Sequence, residues 1–450
     1  MRNRNRHNGV LLAGAALLLA LATFAVSRAP AQAKAQPQAQ SQTQSPVQTQ
    51  AQPTAKNTCL DCHAMLDGAL QVTAERFTQD IHLQKGLNCA SCHGGNSSVE
   101  DMGLSMSRAA GFRGKITRAQ IPALCASCHS DAAYMRQYNP SVRTDQLSQY
   151  KTSIHGQRLA RGDTQVAVCT DCHGVHDLRP ASDARSTVHP LNVAATCSRC
   201  HSNAEYMKGY PIPTDQFASY SASVHHNALV VRGDLSAPTC TTCHGNHGAA
   251  PPGVASVEFV CSTCHVFQAQ LFDVSPHKKA FADMGVGACI TCHSNHRIRP
   301  PNDNMIGTGP DAVCITCHSD GDPGFVAAAK MHGDLKNLES AIARSHEILS
   351  RAEQSGMEVS EPKLEQAQAR DALTKARVTI HSFSVERVAA DIAEGLKVAE
   401  ATYQAGVAAL EERDYRRIGL GISLITIVFV LIGLRLFIRR IESQDGQGSG

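Results

Sequence analysis

The chain has 450 residues, a formal net charge of +3 and 42% hydrophobic residues. That length accommodates two or three domains, and so small a net charge gives no footing for a nucleic-acid partner. Aromatic residues make up only 4% and tryptophan is missing altogether, so an ordinary core of large apolar side chains is excluded over much of the chain.

Residues 1–33 begin with Arg2, Arg4 and Arg6 and continue as an apolar run from Val10 to Val26. This pattern reads as a secretory signal peptide, with Ala31-Gln32-Ala33 as a small-residue cleavage site, or as an N-terminal anchor; either exports the chain that follows. Residues 34–56 are nearly all Ala, Gln, Pro, Ser and Thr. They hold too little apolar surface to offset the entropy of ordering and read as a flexible linker.

From residue 57 to 325 one motif, Cys-x-x-Cys-His, recurs nine times and uses all 18 cysteines. The cysteine pairs are Cys59 and Cys62, Cys89 and Cys92, Cys125 and Cys128, Cys169 and Cys172, Cys197 and Cys200, Cys240 and Cys243, Cys261 and Cys264, Cys289 and Cys292, and Cys314 and Cys317. The histidines that follow them are His63, His93, His129, His173, His201, His244, His265, His293 and His318. Two thiols and a histidine at this spacing form the attachment site of a c-type haem, the thiols as thioethers and the imidazole as the proximal iron ligand. A zinc cluster or a redox dithiol would account for one copy but not for nine, each with histidine in the fifth place, and a disulfide framework has no reason to place a histidine after every second cysteine. Nine covalent haems are therefore expected, with the macrocycles as the core and folding coupled to their attachment.

Within this region a repeat is visible. Cys125 to Met135 matches Cys197 to Met207, Thr144-Asp145-Gln146 matches Thr214-Asp215-Gln216, Ser153-Ile154-His155 matches Ser223-Val224-His225, and Cys169 to His176 matches Cys240 to His247. A shorter copy runs from Cys261 through Ser275-Pro276-His277 to His296. The region divides into a haem pair at 57–124, repeat units at 125–196, 197–260 and 261–313, and a last haem at 314–325.

The second axial ligand decides between carrier and catalyst. Thirteen of the 22 histidines lie outside the motifs. His176, His247 and His296 extend three motifs to Cys-x-x-Cys-His-x-x-His, and each is too close to its own motif histidine to reach the opposite face of the same haem. His155, His225 and His277 precede those same motifs. His82, His332 and Met65 complete nine candidate distal ligands, with His189 and His226 in reserve. His346 and His381 fall in the helical tail and read as solvated. Nine candidates for nine irons point to saturated haems and electron transfer rather than catalysis.

Residues 326–415 contain no cysteine. Leu335, Leu338, Ile342, Leu349 and Ala352 share one helical face, Ser355-Gly356 stops that helix, Ser360 opens another, and a break near Ser382–Ser384 precedes a third marked by Val385, Val388, Ile392, Leu396, Ala399, Tyr403 and Leu410. This is a helical bundle or stalk, suited to self-association or to plain spacing. Residues 418–438 are apolar over about 31 Å of helix, enough to cross a bilayer, and leave 439–450 as a cytoplasmic tail.

The region 57–325 resembles the multihaem c-type cytochromes, with cytochrome c3-like, doubled Cys-x-x-Cys-His units; the resemblance implies bis-histidine haems packed closely enough to pass electrons along the chain. The start, Cys59 to Met65 with His82 and Cys89 to His93, is also similar to the NapC/NirT family of membrane-anchored quinol dehydrogenases, in which a methionine at this position accompanies the first haem. That family's anchor directly precedes its haems, whereas a linker intervenes here. The Cys-x-x-Cys-Lys motif of multihaem nitrite reductases does not occur. The expected fold is mostly α with extensive irregular structure, a haem-filled cytochrome region followed by the helical stalk and a C-terminal transmembrane helix. The expected function is electron transfer between a respiratory membrane partner (a cytochrome b, an iron–sulfur protein or the quinol pool) and a periplasmic or extracellular acceptor. The alternative is a quinol dehydrogenase or a multihaem reductase with one open haem. The expected location is the bacterial cytoplasmic membrane, with the haem region in the periplasm and the C-terminus in the cytoplasm.

Overall fold

The computed structural model describes residues 57–248 and 257–445. The expected signal peptide or anchor, the linker and the end of the expected cytoplasmic tail lie outside the described residues. Everything regular among the described residues is helical, without strands, so the mostly-α expectation holds.

Up to residue 320 the helices are short and joined by turns. Most motifs form or end a helical turn, as in Thr58–His63, Cys89–His93, Ile121–His129, Cys169–His173, Pro190–His201 and Cys240–His244. Residues at i, i+3 and i+4 share one face of a helix. One turn therefore presents both thiols and the imidazole on the same side. Four of the motifs stop abruptly at a residue with positive φ: Gly94 at 68°, Gly174 at 80°, Gly245 at 79° and Ser294 at 65°. Glycine meets that conformation without steric cost; Ser294 meets it with a side chain.

Large apolar side chains are sparsely buried here. The one buried apolar cluster among the described residues before 320 is Ala228, Leu229 and Ala237. Single buried side chains such as Phe77, Val168, Met207 and Phe281 lie apart from that cluster.

The last part of the chain is different. Helices Pro323–Gln354, Ser360–Thr379 and Val385–Asp445 pack as an antiparallel three-helix bundle. Met331, Leu335, Leu338, Leu373, Ala376, Ile380, Val388 and Ile392 form its upper core, and Ile348, Leu349, Ala352 and Val359 its lower one. Between them lies a buried polar layer. Gln366 Nε2 donates to Ser345 Oγ at 2.8 Å, and the Ser345 and Thr402 hydroxyls bond at 2.7 Å. A satisfied buried polar layer fixes the register of packed helices. Small residues let the helices approach: a Cβ on Gly395 would come within 2.7 Å of Leu338 Cδ2.

The apolar stretch from Ile418 is no separate helix. It continues the third bundle helix without a break, and this is the one described helix long and apolar enough to cross a membrane. Its apolar side chains face outwards, with Ile418 65% and Phe429 70% exposed.

Candidate haem sites

The motif histidines meet other histidines in a regular way. Among the described residues, eight of the nine have a second imidazole facing them. Ring centres are 6.1 Å apart for His82 and His129, 6.2 Å for His93 and His176, 6.2 Å for His155 and His201, and 6.1 Å for His173 and His247. The spacing is 6.4 Å for His225 and His265, 5.9 Å for His244 and His296, 5.9 Å for His277 and His318, and 6.1 Å for His293 and His381. Two rings in direct contact would approach more closely or pair at random. An iron held by two imidazole nitrogens at ~2 Å each, with each ring centre ~1.1 Å further back, sets the centres ~6.2 Å apart. The residues present thus fit a six-coordinate haem iron at eight positions.

The pairing follows a rule. The histidine upstream of each even-numbered motif faces the histidine of the next motif: His82 faces His129, His155 faces His201, His225 faces His265 and His277 faces His318. The histidine three residues after an even-numbered motif faces the motif histidine two motifs back: His176 faces His93, His247 faces His173 and His296 faces His244. Motif 2 carries no such extension, since Gly94-Gly95-Asn96 follow His93, and only one motif precedes it.

Local structure aims each upstream histidine. All four follow by two residues a buried helix N-cap: Asp80, Ser153, Ser223 and Ser275 are 1%, 2%, 3% and 7% exposed. Ser153 Oγ accepts from the Gly156 amide at 2.9 Å and Ser223 Oγ from the His226 amide at 3.2 Å. Asp80 does more. Its carboxylate accepts from the His82 amide at 2.9 Å, from His82 Nδ1 at 3.1 Å and from the Leu178 amide at 3.0 Å. The Ile81 amide in turn donates to Leu178 O at 2.8 Å. Two candidate ligands far apart in sequence, His82 and His176, are thereby tied to one joint. The same joint recurs where the Val224 amide donates to Ile298 O at 2.9 Å, between His225 and His296.

Several imidazoles are oriented by a bond at Nδ1, which leaves Nε2 for a metal. Leu70 O accepts from His63 at 2.8 Å, Asp322 Oδ1 from His318 at 3.1 Å, and Val378 O from His381 at 2.9 Å. Burial holds His93, His129, His155, His173, His201, His244 and His293 below the usual histidine range, as it does His176, His225, His247, His277, His296 and His381. A neutral imidazole is the form that binds a metal.

The remaining sequence candidates lie apart from these pairs. His332 Nδ1 meets Asp303 O at 2.9 Å, and no motif histidine faces its ring among the described residues. Met65 is 80% exposed, two residues past His63, and His63 has no second histidine ring beside it among the described residues. His189 is a buried N-cap whose Nδ1 accepts from the Leu191 amide, and His226 stacks edge-on against Tyr220 at 5.3 Å. His381, read from sequence as solvated, instead stands with its ring centre 6.1 Å from that of His293.

Successive motifs lie side by side. Cys125 lies close enough to Cys169, and Cys197 to Cys240, for each thiol to perturb the other. Cys59 interacts with Cys89, Cys92 with Cys128, Cys172 with Cys200, Cys243 with Cys261, Cys292 with Cys314, and His293 with His265. Each of these proximities joins one motif to the next in the chain.

Comparison with known proteins agrees. Residues 81–202 match the family model for cytochrome c3, residues 282–323 that for the doubled CXXCH motif, and residues 22–94 that for cytochrome c554 and c-prime. A relative, the C-type polyheme cytochrome OmcC of Geobacter sulfurreducens, is 24% identical over 193 residues, which are 42% of this chain but only 20% of that protein. No solved structure matches. Nine attachment motifs, facing imidazoles at iron-spanning distance and three separate cytochrome matches make this chain a multihaem c-type cytochrome.

Proposed function

We propose that the chain carries nine covalent haems, attached at the eighteen motif cysteines with the nine motif histidines as proximal ligands, and passes electrons along them in sequence order. The observation that carries this reading is the set of facing imidazoles at one narrow spacing. His82, His155, His176, His225, His247, His277 and His296 serve as distal ligands to the haems whose motif histidines they face. The haems supply reversible one-electron chemistry when bound. The chain's part is to saturate the irons and exclude water from them, which limits rearrangement on electron passage, and to hold successive motifs close together, which shortens the distance an electron must cross. The C-terminal apolar helix would anchor the protein in the bacterial cytoplasmic membrane with the haems on the periplasmic side. Its partners would be a respiratory membrane subunit or the quinol pool and a periplasmic or extracellular acceptor.

The test is a haem count by mass on the purified chain, with a redox titration. Nine thioether-linked haems and a broad multi-step reduction are expected; zinc in place of haem sinks the reading.

A second reading has one observation in its favour. The pairing rule supplies no upstream histidine for the first motif, and Met65 follows His63 too closely to cross the same ring. The haem at Cys59 and Cys62 is the candidate for an open iron, at which a reductase or quinol dehydrogenase activity would reside. One high-spin ferric haem that binds carbon monoxide when reduced favours it; nine low-spin haems exclude it.

A further inference from the structure

The pairing rule breaks at the end of the array. Each even-numbered haem is faced by the histidine three residues past the motif two places on. Motif 8, Cys289 to His293, has no motif 10 to draw upon. Yet His293 does not lack a partner. His381, from the turn between the second and third bundle helices, stands 6.1 Å away with its ring inclined by only 19°. Of its counterparts in the rule, His173 with His247 and His244 with His296 are near parallel at 10° and 21°, and His93 with His176 is tilted at 36°. The bundle histidine therefore occupies the geometric place of the missing repeat.

Its surroundings are built for that place. Val378 O accepts from His381 Nδ1 at 2.9 Å, which leaves Nε2 as the nitrogen available to a metal. Phe383, two residues on, has φ of 51°, a left-handed conformation that is strained for a bulky residue and persists only where its surroundings impose it. That conformation lays the Phe383 ring on His277 at 3.9 Å, and His277 faces the ninth motif histidine, His318. One turn thus reaches both terminal haem positions. The bundle is also bound to this end of the array by Arg377, whose guanidinium makes two bonds of 2.9 and 2.8 Å to the buried Asp303.

We propose that His381 is the distal iron ligand of the haem attached at Cys289 and Cys292, so that the helical bundle is the terminal cap of the haem array and not a spacer beside it. Stacked repeats expose an unfinished face at each end, and a dissimilar capping element closes it. Here the unfinished face is an iron coordination position. The inference rests on the nonahaem reading above.

The experiment uses the full chain extracted from membranes. His381→Gly is compared with His332→Gly and His346→Gly in the same bundle, and with His381→Met. Each is scored for covalent haem by mass and for spin state by electron paramagnetic resonance and magnetic circular dichroism. His381→Gly is expected to keep nine haems, convert one from low-spin to high-spin, and return to low-spin when imidazole is added. His381→Met keeps a ligand of similar length and is expected to raise the potential of one haem alone. Nine haems with an unchanged low-spin count in His381→Gly overturns the proposal. So does a spin change in His332→Gly in place of His381→Gly. If His381→Gly does not accumulate, an unchanged spectrum and potential in His381→Met overturns it equally. Wild-type protein without covalent haem would instead defeat the underlying reading, a separate and earlier result.

Discussion

At the scale of single residues, histidine geometry makes spectroscopic predictions. The ring planes of His82 and His129 are inclined by 85° and those of His277 and His318 by 83°, whereas the pairs His173 with His247 and His293 with His381 are near parallel. Crossed axial imidazoles leave the two iron π orbitals nearly degenerate, so two ferric haems are expected to give strongly anisotropic low-spin resonance signals. Substitution His82→Met should remove one of them. Asp80 supports a second prediction. Burial alone would raise its carboxyl, but the bonds from the His82 ring, the His82 amide and the Leu178 amide outweigh this and hold it below the usual carboxylate range. A carboxyl depressed on folding stabilises the fold above its unfolded pKa and loses that contribution as pH falls through the folded value. Asp80→Asn should therefore flatten acid unfolding below about pH 4. Asp80→Ala, which also orphans two amides, should cost about 1–3 kcal/mol at neutral pH. Denaturant titration checks both.

At the scale of elements, the bundle and the haem region answer to different forces. The bundle is held by ordinary burial: Leu335, Leu338 and Leu349 are each 0% exposed. Leu338→Ala is expected to destabilise the bundle by about 2–5 kcal/mol, seen as loss of helical circular dichroism at lower temperature while the haem absorbance far from His381 is unchanged. The start of the first bundle helix is a joint between the two. A Cβ placed on Gly324 would overlap the His318 ring, so Gly324→Ala should displace that imidazole and alter the spin state or potential of one haem while haem attachment survives. Spectroscopy of the variant beside a haem count separates that local effect from loss of the fold.

At the scale of the whole molecule, the continuous third helix sets a distance. From Val385, beside the proposed ligand turn, to the start of the apolar stretch at Ile418 is about 33 residues, or ~50 Å of helix. With that stretch in a bilayer, the turn that carries His381 stands well above the membrane surface, at the opposite end of the bundle. A chain ended after Arg417 loses the outward-facing apolar surface but none of the buried core. It is expected to move from the membrane to the soluble fraction with its haem content unchanged, measured by fractionation and haem absorbance.

The identity of the cofactor was legible from sequence, because thioether attachment needs two thiols and a histidine within one helical turn and that is a local constraint. The helix ends at Ser355 and Ser360 were legible for the same reason, since capping and apolar periodicity are local. So were His82, His155, His225 and His277 as candidates, set apart by their regular position before a motif, and the buried Ser-x-His N-caps of the repeat show why that position matters. Which haem each one faces was not legible. The facing rings belong to residues dozens of positions apart, from His225 with His265 to His293 with His381, and only the packing of successive turns decides which rings meet. His381 shows the limit most plainly. By sequence it is a polar residue on an amphipathic helical tail, the ordinary setting of a solvated histidine. Only the antiparallel fold of the bundle, which returns that turn to the end of the array, brings its ring to His293, and the same packing leaves His332 on Asp303 instead.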